Sequence, residues 1–151
     1  MATTEISAYV ERPAEEVFAF VADIGRLQEW VEVIQDARPT SDRQNVVGAT
    51  YLVTARFAGR TMEIPSRIEV YEPGRQYGYR AWGSLPYVST ITLEAAGDGT
   101  QVTERIVMES DGLLGRFLDQ LKIRISRRSH KKNWVILKSI LEGSGEAALA
   151  G

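Results

Sequence analysis

Hydrophobic and polar positions alternate from Thr4 to Val10, with Ile6, Ala8 and Val10 on one face and Ser7, Tyr9 and Glu11 on the other. That period of two predicts a strand. Pro13 stops it and suits the first position of a helix, and Glu15 and Glu16 favour the positive start of the helix dipole. Val17, Phe18, Phe20 and Val21 give this short helix its apolar stripe. Asp23-Ile24-Gly25 breaks it, and Asp23 caps a second short helix ending near Trp30.

From Val33 to Ser110 the pattern becomes strands and turns. Val46–Phe57, Thr61–Tyr71, Gln76–Trp82, Tyr87–Glu94 and Gln101–Glu109 are rich in Val, Ile, Thr and Tyr. Between them stand Ala58-Gly59, Glu72-Pro73-Gly74, Gly83-Ser84-Leu85-Pro86 and Gly97-Asp98-Gly99, all turn chemistry. A further strand runs from about Val31 to Arg38, which with the first makes seven. Connections this short pair strands antiparallel, as a meander.

After Asp111-Gly112 the period turns helical and stays so from about Leu113 to Leu141. At about 100° per residue, Leu114, Leu118, Leu121, Ile125, Ile136 and Ile140 fall in one arc. Arg116, Arg124, Arg127, Arg128, Lys131 and Lys138 lie opposite. Gly143-Ser144-Gly145 ends the helix. Residues 1–145 therefore read as one domain and 146–151 as a flexible tail. Only the last helix is long enough to cover the apolar face of the sheet. A single helix about 10–12 Å across does not fill a strongly bent sheet, which makes a cavity between them plausible.

Composition narrows the chemistry. The 151 residues include no cysteine, which removes disulfides and thiolate catalysis. The single histidine, His130, stands among basic neighbours and is a poor metal-ligand candidate, so neither metal nor cofactor is expected. A net charge of −2 points to neither nucleic acid nor membrane. No stretch approaches the roughly 18 apolar residues of a membrane span. The N-terminus lacks a signal peptide's basic and apolar regions, so a cytoplasmic monomer or homodimer is expected. Neither a phosphate-cradling loop nor a GxSxG or HExxH motif is present.

Four segments in order carry a family likeness. ISAYVERPAEEVFAFVADIGRLQEWV (Ile6–Val31) resembles the opening of the START-like or SRPBCC superfamily. That superfamily includes the birch-pollen-allergen group, lipid-transfer START domains and polyketide cyclases/dehydrases. VVGATYLVTARFAGRTMEIPSRIEVYEPGRQYGYR (Val46–Arg80) is similar to its Gly-led strand pair, Pro-Gly turn and Tyr-rich strand. GTQVTERIVME (Gly99–Glu109) and NWVILKSILEG (Asn133–Gly143) resemble its last strand and helix ending. The resemblance implies an α+β helix-grip fold: a curved seven-stranded antiparallel sheet with a long C-terminal helix across its concave face. It also implies a hydrophobic ligand in an internal cavity, but no particular reaction.

Alternation indicates the lining. Ile91 and Leu93 should face in, taking Tyr87 and Ser89 with them; Val102, Ile106 and Met108 do the same for Glu104. Glu104 is the one acid–base candidate, against the plainer readings of a strand bulge or an ion pair. Tyr77, Tyr79 and Trp82 put aromatic groups on whichever face of their strand points in, as an ordinary core would also require. Trp30 lies near the mouth that the resemblance implies. The last helix contributes Phe117, Leu121, Ile125, Ser129 and Asn133, with Lys122 nearby. Polar groups on that stripe mark either a hollow or locally satisfied side chains. The basic run Lys122–Lys132 is a solvated helix face or a dock for an anionic partner or membrane.

Three uses follow. The first is a carrier or binder of a hydrophobic or aromatic, lipid- or polyketide-like molecule. The second is a polyketide cyclase/dehydrase-type enzyme using the same cavity. The third is a membrane- or partner-docking module using the basic helix face.

Overall fold

A computed structural model describes residues 2–57, 59–83, 86–108 and 127–143. The chain opens with strand β1 (Ala2–Val10), helix α1 (Ala14–Val21), a single 3-10 turn (Ile24–Arg26) and helix α2 (Leu27–Trp30). Six strands follow: β2 (Ile34–Pro39), β3 (Thr50–Phe57), β4 (Arg60–Glu72), β5 (Gln76–Ala81), β6 (Tyr87–Ala96) and β7 (Gly99–Met108). Helix α3 occupies residues 127–143. The helix expected from Leu113 begins outside the described residues, as do Glu109 and the expected tail at 146–151.

The seven strands form one antiparallel sheet in the order β1-β7-β6-β5-β4-β3-β2. After β1 has crossed to the far edge, every later strand pairs with its neighbour in sequence, as short connections require. One face carries the core. Ile6 and Val10 of β1, Val102 of β7, Ile91 and Leu93 of β6, Tyr77 of β5, Ile68 of β4 and Tyr51 of β3 share a cluster with α1, α2 and the α3 residues Trp134 and Leu137. This is the helix-grip arrangement.

Two irregularities set which side chains reach that face. The β4–β5 register shifts between Ile68 and Val70. Before it Ile68 lies opposite Tyr79, and after it Tyr71 lies opposite Tyr77. The inward positions thus change from even to odd numbers across Glu69, as an inserted bulge residue requires. A second shift, between Ile34 and Asp36 of β2, does the same and brings both Ile34 and Ala37 inward.

Two boundaries differ from the sequence reading. The strand expected from Val46 begins at Thr50, because Asn45 (φ 57°) and Gly48 (φ 92°) are left-handed and fold Val46–Ala49 into a turn. On α3 the buried positions are Asn133, Trp134 and Leu137, while Ile136 and Ile140 are only half-buried beside them. Small departures from 100° per residue accumulate along a long helix and rotate the face expected from a fixed angle.

Candidate functional site

The pairing register builds the site row by row. One inward row crosses the sheet as Ile6, Glu104, Ile91, Tyr77 and Tyr71, each opposite the next. The adjacent row runs Thr4, Ile106, Ser89, Tyr79 and Ile68. A third holds Met108, Tyr87, Ala81 and Ser66. Alternation along each strand makes these rows one continuous surface facing α2 and α3.

Between that surface and the helices lies a cavity of about 320 Å³. Apolar side chains dominate its wall: Val21 of α1, Ile24 and Leu27, Val53 and Ala55 of β3, Ile64 of β4 and Ile106 of β7. Phe57, Glu63 and Trp82 also line it and are exposed, so they mark its mouth. The Trp82 ring there carries the Arg67 guanidinium 5.3 Å from its centroid.

An aromatic ladder follows β4–β6. Phe18 meets Tyr71 edge-on at 5.2 Å, Tyr71 meets Tyr77 at 6.3 Å, Tyr77 meets Tyr79 at 5.9 Å and Tyr79 meets Tyr87 at 5.9 Å. The Tyr79 and Tyr87 hydroxyls are 3.3 Å apart and share a hydrogen bond. Burial holds the Tyr77, Tyr79 and Tyr87 phenols above their ordinary range. For Tyr79 and Tyr87 the negative charge of Glu104 adds to the effect. Both rings keep some accessible area, but they line the cavity rather than facing bulk water.

The polar centre of the cavity is Glu104, 3% exposed. Trp134 Nε1–H donates to its Oε1 at 3.1 Å, His130 Nδ1 lies 2.9 Å from the same oxygen, and the Ser89 hydroxyl donates to Oε2 at 3.3 Å. One carboxyl group is thus held by β6 and α3 together. Positions 130 and 134 are one helical turn apart and share a face. The Trp134 ring packs on Trp30 of α2 at 5.2 Å. Asn133, also buried, accepts the Glu32 backbone N–H at 3.4 Å and so ties α3 to the end of α2.

Two other buried polar atoms lie among the lining residues, Trp30 Nε1 and the Tyr77 hydroxyl, and neither has a hydrogen-bond partner among the described residues. Among the described residues no group of three acidic or histidine side chains is arranged to hold a metal ion.

Of the residues expected at the site, Trp30, Tyr77, Tyr79, Trp82, Tyr87, Ile91, Ile106, Met108, Ser129, Asn133 and Glu104 line this cavity. Ser89 stands behind it, bonded to Glu104. Phe117, Leu121, Ile125 and Lys122 lie outside the described residues. Glu104 is not at a bulge, since its register with β1 and β6 is unbroken, and the basic group beside it is His130, the histidine dismissed as a metal ligand. His130 and Trp134 were missed, although His130, Asn133, Trp134 and Leu137 stand at i, i+3, i+4 and i+7, a helical stripe in their own right. The basic run is partly engaged: Arg127 donates to Thr4 and to the Glu5 carbonyl, and Lys132 pairs with Glu32.

The family model described as "Polyketide cyclase / dehydrase and lipid transport" matches residues 1–142. Among solved structures, TTHA0849 from Thermus thermophilus superposes with a TM-score of 0.77 at 14% identity, covering 95% of this chain and 99% of that one. The Zhui aromatase/cyclase from Streptomyces sp. R1128 gives 0.73 at 14% identity, with 93% of each chain covered. The di-domain aromatase/cyclase StfQ of the steffimycin biosynthetic pathway gives 0.79 at 11% identity, covering 95% of this chain and 52% of that one. At such identities the likeness is one of fold. No curated protein matches the sequence.

Proposed function

As the chain belongs to the polyketide cyclase/dehydrase and lipid transport family, we propose that it holds a hydrophobic or aromatic small molecule in the cavity between sheet and α3. The observation that carries this reading is the cavity itself, about 320 Å³ with a mainly apolar wall. Ligand pockets commonly measure about 300–1,000 Å³, apolar with a few placed polar groups. The tyrosine ladder suits a flat ligand. On this reading residues 1–145 act as one ligand-holding domain in the cytoplasm, as monomer or homodimer. No helix among the described residues is long and apolar enough to cross a membrane.

Native mass spectrometry of protein purified from its own host, followed by organic extraction, tests the proposal. The expected result is a stoichiometric apolar metabolite. An empty protein that also ignores the neutral fluorescent probe N-phenyl-1-naphthylamine would remove the proposal. Ala55, 3% exposed on the cavity wall, gives the matched control. Ala55→Trp fills the space and should abolish probe fluorescence while the far-ultraviolet circular dichroism of the sheet persists.

A cyclase/dehydrase-type enzyme in the same cavity is the second reading, favoured by the buried Glu104 cluster. Its substrate would be folded against the apolar wall, and the polar centre would move protons.

A further inference from the structure

Glu104 is buried and carries three polar contacts: the Ser89 hydroxyl and Trp134 Nε1–H donate to it, and His130 Nδ1 lies 2.9 Å from its Oε1. As a carboxylate it is an acceptor only, so the contact to His130 Nδ1 is satisfied when that nitrogen carries the proton. The neutral ring is then the Nδ1–H tautomer, with its basic lone pair on Nε2. Among the described residues Nε2 makes no hydrogen bond, and the His130 side chain is 23% exposed and lines the cavity. The histidine's orientation does not depend on one contact. Trp134, one turn along α3, donates to the same carboxylate oxygen, and Ser89 fixes the other.

The geometry points to His130 as a general base in the ligand cavity, with Glu104 as its positioning residue, acting on a ketone whose α-carbon carries an acidified C–H bond. The inference rests on the ligand-binding reading above. The substrate class follows from base strength. A neutral imidazole removes a proton from carbon usefully only where a carbonyl and a second conjugating group, an aryl ring or another carbonyl, both stabilise the anion. The rest of the cavity fits such a molecule. Its wall is apolar and aromatic. In the step, the α C–H bond breaks and its proton goes to Nε2. The electron pair moves into the carbonyl, giving an enolate and an imidazolium whose Nδ1–H remains on Glu104. Return of a proton to carbon reverses the step, so nothing is oxidised or reduced. Partial exposure of the ring lets solvent exchange the proton in between.

The probe is 2-tetralone in heavy water. Its C1 hydrogens lie between a carbonyl and an aryl ring, and their loss is followed by proton NMR. Displacement of N-phenyl-1-naphthylamine measures its binding separately. Wild-type protein should exchange C1 about 100-fold faster than free imidazole at equal concentration, the low end of general-base effects. His130→Gln should return the rate to background with 2-tetralone affinity unchanged. Because the chain has one histidine, its ring nitrogens give one unambiguous pair of 15N signals. These should show the proton on Nδ1 in the wild type and a redistributed proton in Glu104→Gln. Glu104→Gln should also lower the exchange rate about 10-fold without weakening binding, a split that general destabilisation would not produce. Should that variant not fold, His130→Gln and the wild-type 15N signals decide alone.

Bound 2-tetralone exchanging no faster with wild type than with His130→Gln would overturn the inference and leave ligand binding standing. So would a wild-type ring carrying its proton on Nε2. Binding of the naphthylamine but not of 2-tetralone would overturn the ketone assignment. Binding of neither would remove the cavity reading and this inference together.

Discussion

Trp30 and Tyr77 each bury a polar atom that meets no partner among the described residues, an arrangement that costs about 1–3 kcal/mol per group. Tyr77→Phe removes the hydroxyl and keeps the ring in the ladder. It should leave stability unchanged or raise it by about 1 kcal/mol in urea unfolding. Because that oxygen is buried away from the cavity, the same change should leave binding of 2-tetralone and of naphthalene alike untouched. A loss confined to 2-tetralone would show that the hydroxyl reaches the ligand after all. Glu104 teaches the complementary lesson. Its inward position was legible from Val102, Ile106 and Met108, because alternation is a property of one strand. Its partners were not, since Ser89, His130 and Trp134 meet it from two other elements.

At the scale of elements, two contacts measure how tightly sheet and helix are fitted. Leu137 of α3 is fully buried against the sheet. Leu137→Ala should cost about 2–5 kcal/mol in urea unfolding. Ile136→Ala, the position an extrapolated helical arc favoured, should cost less because Ile136 is only half-buried. The reverse order would mean that the face of α3 is misassigned. Gly99 opens β7 beneath the Tyr9 ring, whose hydroxyl donates to the Ala96 carbonyl. A Cβ at Gly99 would stand 2.5 Å from the Val10 carbonyl oxygen and 2.6 Å from the Tyr9 hydroxyl. Gly99→Ala should therefore destabilise by about 1–3 kcal/mol, the usual cost of overpacking, and a thermal melt matching wild type would refute the close approach. The bulge at Glu69 was invisible in the sequence, because one inserted residue leaves no mark on a short run of Val, Ile and Tyr.

For the whole molecule, the cavity wall ties stability to alkaline pH. Burial raises the phenols of Tyr71, Tyr77, Tyr79 and Tyr87 above their ordinary value of 10.0. Folding thus favours their neutral form. The stability they contribute is complete below the unfolded value, near pH 10, and is lost as pH rises from there toward the folded values. The melting temperature should be flat up to about pH 9.5 and fall above it. Part of the phenolate absorbance should appear only with loss of structure. Tyr79→Phe should flatten the alkaline fall. If the phenols of the folded protein all titrate near pH 10, the tyrosines are not held away from water.

The sequence by itself determined the seven strands, the two short helices between β1 and β2 and the inward side of β6 and β7. These are read from periods of two and 3.6 and from turn residues, all short-range properties of the chain. Only the tertiary structure decided where the bulges fall, which face of α3 turns to the sheet, and that His130 and Trp134 converge on Glu104. Those depend on register between strands and on the rotation of a helix docked across them, and no spacing within a single segment encodes either.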